Sequence, residues 1–220
     1  MKEIILAVLG QIPRYFTDLL EVAMGPKRFL TTRCAKKNEP VNDAFIFLGI
    51  TFIVAQFLQS PLLPNRDDLL KSLATFAALE GLILFGTLLG LRIAWGSVRG
   101  KANLRQLFVC TAYMVGPAMF ILLGIMLPGY AVFKLRDPKG FEQFMAGSFE
   151  GDTGSVGYLA AVIAILLGFA AAYSWLFVAW GAYRVVNKVS KTRSAIAYII
   201  YTLISIPLLA MSVLLATIIK

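Results

Sequence analysis

The chain lacks histidine altogether, has two cysteines and carries few charges, and each scarcity removes a class of chemistry. Without an imidazole, a histidine-ligated zinc hydrolase and a histidine-based catalytic triad are excluded, as is the side chain that ordinarily titrates near neutrality. The cysteines, Cys34 and Cys110, stand singly with no partner at metal-ligand spacing, so neither a disulfide framework nor redox catalysis is implied and no cofactor or metal is expected. Charged residues make up 15% of 220 residues and hydrophobic ones 59%, a balance unsuited to a water-soluble domain. Met1 to Gly10 are apolar apart from Lys2 and Glu3, and no small-residue cleavage pattern follows, so no secretory signal peptide is expected.

What is present is long apolar runs. A helix needs about 20 apolar residues to cross some 30 Å of hydrocarbon. Runs of that order lie at about 44–59, 72–91, 107–127, 156–180 and 195–219. The expected fold is all-α: a polytopic membrane bundle of five transmembrane helices over 44–220, preceded by a segment, 1–43, that carries an N-terminal interfacial amphipathic helix. In that segment Ile5, Val8, Leu9, Ile12, Phe16, Leu19 and Leu20 recur at helical spacing, with Lys2, Glu3, Arg14, Asp18 and Glu21 between them. The same pattern also suits a helix packed on the bundle. Pro13 is expected to kink it or open a second helix, and Gly25-Pro26 to end it.

The net charge of +9 does not point to nucleic acid, because the cations sit in short loops between apolar runs and form no solvated face. Their distribution sets an orientation instead, since cytoplasmic loops retain Lys and Arg. Segment 1–43 holds Lys2, Arg14, Lys27, Arg28, Arg33, Lys36 and Lys37. Arg92, Arg99, Lys101 and Arg105 follow the second run, and Arg184, Lys188, Lys191 and Arg193 the fourth, with no acid among either set. That places 15 of 21 cations on one side and predicts a cytoplasmic N-terminus and a C-terminus on the far side of the membrane. The other loops mix cations with acids. Between Pro128 and Ser155, the spacing of Phe141, Phe144, Met145 and Phe149 predicts a short amphipathic helix.

Glu80 is the only acid inside any of the five runs, 12 residues from Arg92 and so about 18 Å from the cytoplasmic end. An ionised carboxylate there costs about 2.5 to 3.5 kcal/mol, so it must face protein or water, find a partner or carry a proton. Its candidate partners are Tyr113 with the Gly116-Pro117 break, Tyr173 and Ser174, and Tyr201, Thr202 and Ser205, with Pro207 a second break at midspan. Paired breaks suit a transport site, and they equally suit plain structural kinks. Two readings of Glu80 stay open: a proton or cation site, or a neutral acid that fixes helix packing. Asp67 and Asp68 beside Arg66 suit a metal or headgroup, or a solvated turn.

The sequence also echoes itself. Ala94-Trp95-Gly96 and Ala179-Trp180-Gly181 each precede a basic loop and a proline-containing span, and Leu104 to Pro117 aligns without gaps on Ser194 to Pro207. The tryptophans alternatively read as interfacial anchors.

The Pro-Lys-Arg-Phe step at Pro26 to Phe29, the amphipathic segment, the five runs and the short basic loops together resemble the Yip family of five-span membrane proteins, in a compact bacterial form. That resemblance implies a membrane-organising or partner-binding role without catalysis, in a bacterial inner membrane with the C-terminus periplasmic. An Asp-Leu-Tyr-Gly-Pro-like motif associated with GTPase binding is absent here, so that partner is not carried over. The expected partners are the bilayer itself and another membrane protein or a second copy of the chain. The basic residues Lys27, Arg28, Arg33, Lys36, Lys37, Arg99, Lys101, Arg105, Arg184, Lys188, Lys191 and Arg193 are the expected membrane-surface contacts. The alternative is a small-solute or ion permease with Glu80 at its centre.

Overall fold

A computed structural model describes the backbone over residues 2–34, 41–60, 69–148 and 151–219, and side chains over 10–33, 41–60, 81–145, 147–148 and 151–207. Eight helices and no strand are present among the described residues: α1 (Lys2–Met24), α2 (Pro26–Cys34), α3 (Val41–Gln59), α4 (Leu69–Ser97), α5 (Leu104–Arg136), α6 (Pro138–Ala146), α7 (Val156–Asn187) and α8 (Lys191–Ile219). Three of them, α3, α5 and α7, are long and apolar enough to cross a membrane. Their outward faces carry Ile53, Phe57, Ile163, Leu166, Phe169 and Val178, all exposed. A contiguous apolar surface of this kind is stable against lipid and not against water. The helical bundle expected from the sequence is present, and it is that of an integral membrane protein.

The centre of the bundle is α5. It runs parallel to α3, with Phe45 against Phe108 at 4.4 Å and Phe47 against Tyr113 at 4.7 Å between ring centroids. Against α7 it runs antiparallel, on small residues that let the backbones approach. A Cβ on Gly129 would overlap Ala164 and sit 2.9 Å from the Ala160 carbonyl oxygen, and one on Gly168 would sit 3.1 Å from the Leu122 carbonyl oxygen. This seam explains why α5 continues through Pro128 to Arg136, beyond the limit of 127 expected from the sequence. Gly129 and Phe133 pack on α7, and that contact outweighs the one donor the proline removes. Likewise α1 stays helical through Pro13.

Gly25 ends α1 as expected, and Pro26 opens α2. The short amphipathic helix expected outside the spans is α6, whose Phe141 and Phe144 pack on Phe133 and Tyr130. Phe149 lies outside the described residues. Helix α4 pairs with α8 through Gly90, where a Cβ would meet Ile204 at 3.3 Å and Tyr201 at 3.6 Å.

The two Ala-Trp-Gly steps meet face to face. Trp95 and Trp180 stack at 5.1 Å and 21°, and Trp95 is fully buried in the bundle. Nearby, buried Asn187 closes α7 onto the turn before α5. Its Oδ1 accepts from Ala102 N at 3.2 Å, its carbonyl oxygen from Lys101 N at 3.1 Å, and its Nδ2 donates to the Tyr183 carbonyl at 2.9 Å. These contacts gather the turn after α4 and the turn after α7 at one end of the bundle.

Candidate functional site

At that end the hairpin α1–α2 docks on α3, α5 and α7. The elbow is tight: Gly25 N donates to the Glu21 carbonyl and Phe29 N to the Gly25 carbonyl, both at 3.0 Å. Because α2 then doubles back along α1, Arg33 reaches Asp18, with Nη2 to Oδ1 at 2.5 Å. Arg14 reaches Asp43 at the start of α3 at 2.5 Å and lies 4.0 Å from Asp18, while Arg33 lies 3.9 Å from Asp43. The four charges therefore form one alternating ring of two arginines and two aspartates. The Arg33 guanidinium also lies over two aromatic rings, 5.1 Å from the centroid of Phe29 and 5.9 Å from that of Tyr113.

Asp18 is only 6% exposed, which matters for its protonation. Burial pushes its carboxyl above the ordinary aspartate range, against the opposite pull of Arg33 and Arg14. Two neutral contacts fix the hairpin further: the Tyr15 and Thr51 hydroxyls lie 3.1 Å apart, and Trp175 Nε1 donates to the Ala23 carbonyl at 3.1 Å. The docked hairpin leaves Phe16, Leu20 and Met24 outward, at 49%, 59% and 81% exposure. A cavity of about 410 Å³ opens at the elbow, bordered by Glu21, Met24, Arg28, Phe29, Thr32 and Arg33.

The basic residues expected at the membrane surface divide into sets. Arg33 is held in the ring, Arg28 borders the elbow cavity and Lys27 is exposed on α2. Arg99, Lys101, Arg105, Lys188, Lys191 and Arg193 are exposed, and Arg184 is half-buried. Lys36 and Lys37 lie outside the described residues, as do Arg66, Asp67 and Asp68. Among the described residues no cluster of three metal-ligating side chains occurs.

The residues named for an intramembrane polar site fall on different seams. Tyr113 and Pro117 are buried where α5 meets the hairpin and α3, and the Tyr113 hydroxyl has no partner among the described residues. Thr202 and Ser205 donate to carbonyls of their own helix, those of Tyr198 at 3.0 Å and Thr202 at 2.9 Å. Ser174 and Pro207 are exposed on α7 and α8. Two hydroxyl contacts do bridge helices in this region, Tyr198 to Tyr173 at 2.5 Å and Tyr201 to Thr87. The side chain of Glu80 lies outside the described residues.

Family models, curated proteins and solved structures give no match to this chain.

The parts of the site that the residue pattern did not show are Asp18, Asp43, Tyr15, Thr51 and Asn187. The first two are ordinary polar positions of a helix and a helix start. Their one visible signal was the spacing of Asp18 from Arg14, one helical turn, which suits an ion pair on a single face.

Proposed function

We propose that this chain is a non-enzymatic integral membrane protein that organises the bilayer or binds partners, working through the basic end of its bundle. The observation that carries the reading is the α1–α2 hairpin. It is locked to the bundle by the Arg14, Asp18, Arg33 and Asp43 ring while Phe16, Leu20 and Met24 stay outward. Such an element lies in the interface with its apolar stripe among acyl chains, and the exposed cations of the same end meet anionic headgroups. Helices α4 and α8, 29 residues and about 43 Å each, complete five spans with α3, α5 and α7. The excess of Lys and Arg at this end supports a cytoplasmic N-terminus in a bacterial inner membrane, and the Yip-like order of segments supports the role.

The test places a fluorophore on Phe16→Cys in a chain carrying Cys34→Ser and Cys110→Ser, reconstituted in vesicles. Lipid-borne quenchers are expected to act strongly and aqueous iodide weakly. Dominant quenching by iodide would place the stripe in water and overturn the reading.

A second reading is a permease. The hydroxyl contacts Tyr198 to Tyr173 and Tyr201 to Thr87 supply polar groups between α7 and α8 and between α8 and α4, the helix that carries Glu80. Ion or solute flux in proteoliposomes that disappears in Glu80→Gln would favour it; absence of flux from the intact protein would remove it.

A further inference from the structure

We infer that the groove between α7 and α8 holds a single anionic phospholipid, an inference that rests on the membrane-facing basic end argued above and gives it a specific ligand. The groove measures about 420 Å³. Its α7 wall is Phe177, Trp180 and Arg184, and its α8 wall includes Lys191, Tyr198 and Ile199. With Ser194 and Ala195 between Lys191 and Tyr198, the lining residues recur every three to four positions, so each wall is one face of its helix.

Because α7 runs toward the basic end and α8 away from it, both cations sit at the mouth and both apolar stretches lie deeper. Arg184 stands about 10 Å along the axis from Phe177, and Lys191 about 12 Å from Ile199. The groove thus changes along its length from cationic to apolar, as a phospholipid changes from headgroup to acyl chain. No carboxylate lines it among the described residues.

The polar atoms of the deeper walls are already occupied. Trp180 Nε1 donates to the Ser194 carbonyl at 3.2 Å, and the Tyr198 hydroxyl donates to that of Tyr173. Both rings therefore offer the groove their apolar surfaces. A free phosphate or a nucleotide would satisfy Arg184 and Lys191 and leave that surface bare. A zwitterionic lipid would bring an ammonium to a mouth with no acceptor of opposite charge. An anionic phospholipid meets both requirements, and basic pockets between membrane helices bind such headgroups generally.

The experiment uses the full chain in nanodiscs of phosphatidylcholine with a minor fraction of phosphatidylglycerol, and native mass spectrometry to count retained lipid. Phosphatidylglycerol is expected to be retained over phosphatidylcholine, and to stay bound in salt that screens exposed charges. Arg184→Gln and Lys191→Gln are each expected to lower retention about fivefold, and Arg184→Lys to keep most of it. Ile199→Trp fills the apolar part without altering charge and is expected to abolish retention. Helix content by circular dichroism and a monodisperse elution profile show that each variant is folded.

Lys188→Gln, an exposed cation of the same end outside the groove, is expected to weaken only the salt-screened attraction to the membrane surface and to leave the salt-resistant retention at the wild-type level. If it weakens retention as much as Arg184→Gln, attraction is diffuse and the groove is overturned while the basic-end reading stands. If the protein retains both lipids equally, the groove fails again, and the fluorophore at Phe16 then decides separately whether the basic end meets lipid at all.

Discussion

Cations at the basic end of the bundle are used in two opposite ways. Around the hairpin, Arg14 and Arg33 are matched by Asp18 and Asp43 in a ring that is partly withdrawn from water. At the α7–α8 groove, Arg184 and Lys191 face no acid among the described residues and stand beside aromatic rings. A cation that is already neutralised holds the protein together; one left without a counter-charge is available to something outside it. The same residue types, equally basic by count, thus divide into a structural set and a set open to ligand.

The largest effect is expected from breaking the matched set at Arg33, the more buried of its two cations and the partner of buried Asp18. Arg33→Met removes the charged hydrogen bond to Asp18, worth about 2 kcal/mol, together with the contact over Phe29 and Tyr113, worth about 0.5 to 1 kcal/mol. Chemical unfolding in neutral detergent is expected to show that loss, with the hairpin becoming the first segment to exchange its amide hydrogens. Unchanged stability would mean that the hairpin is held by its apolar contacts alone.

Asp18→Asn sharpens the same comparison through pH. Burial raises the Asp18 carboxyl in the folded protein above its value in the unfolded chain. The folded state therefore holds the proton to higher pH, and stability from this group is complete below the unfolded value and declines as pH rises through the folded one. Wild-type protein is expected to lose stability relative to Asp18→Asn as pH rises above the ordinary aspartate value of about 4. A relative gain with rising pH would show that Arg33 and Arg14 outweigh burial and hold the carboxyl below its ordinary range.

Arg14 is a milder case, because its side chain is 45% exposed. A double-mutant cycle of Arg14→Ala with Asp43→Ala is expected to give a coupling of about 0.5 to 1 kcal/mol that shrinks in salt. A coupling of several kcal/mol would place this pair in the same dry environment as Asp18.

How the cations divide was not legible from their positions along the chain, although the helices were. Apolar run length gave α3, α5 and α7 directly, since only lipid or a core tolerates such runs. The stop at Gly25-Pro26 and the amphipathic α6 also follow from local residues, whereas α2 beyond that stop does not. What local residues do not carry is pairing between segments: Arg33 and Asp18 are 15 positions apart and meet only because the elbow folds α2 back on α1. Asn187 reads as one more polar residue in a basic loop until the turn before α5 is laid against it. Pro128 reads as an end because the loss of a donor is a local effect, whereas the packing of Gly129 on Ala160 and Ala164 that carries the helix onward is not. Nor does the sequence show that the Tyr113 ring lies between Phe29 and Phe47 beneath the hairpin.

The smallest expected effect on stability belongs to the unmatched set, and it completes the comparison. The double variant Arg184→Gln with Lys191→Gln removes two positive charges from a mouth that holds no acid among the described residues, so none of those carboxylates is left buried without its partner. In neutral detergent free of anionic lipid the change is expected to stay within about 0.5 kcal/mol, as for surface positions generally. Adding phosphatidylglycerol should then separate the two proteins, because a ligand that binds only the folded state stabilises it by mass action. Wild-type protein is expected to gain stability with lipid concentration, and the double variant to gain far less. If instead the double variant is already weakened by more than about 1 kcal/mol in lipid-free detergent, these cations hold the bundle together as the hairpin ring does, and the division between matched and open sets does not hold.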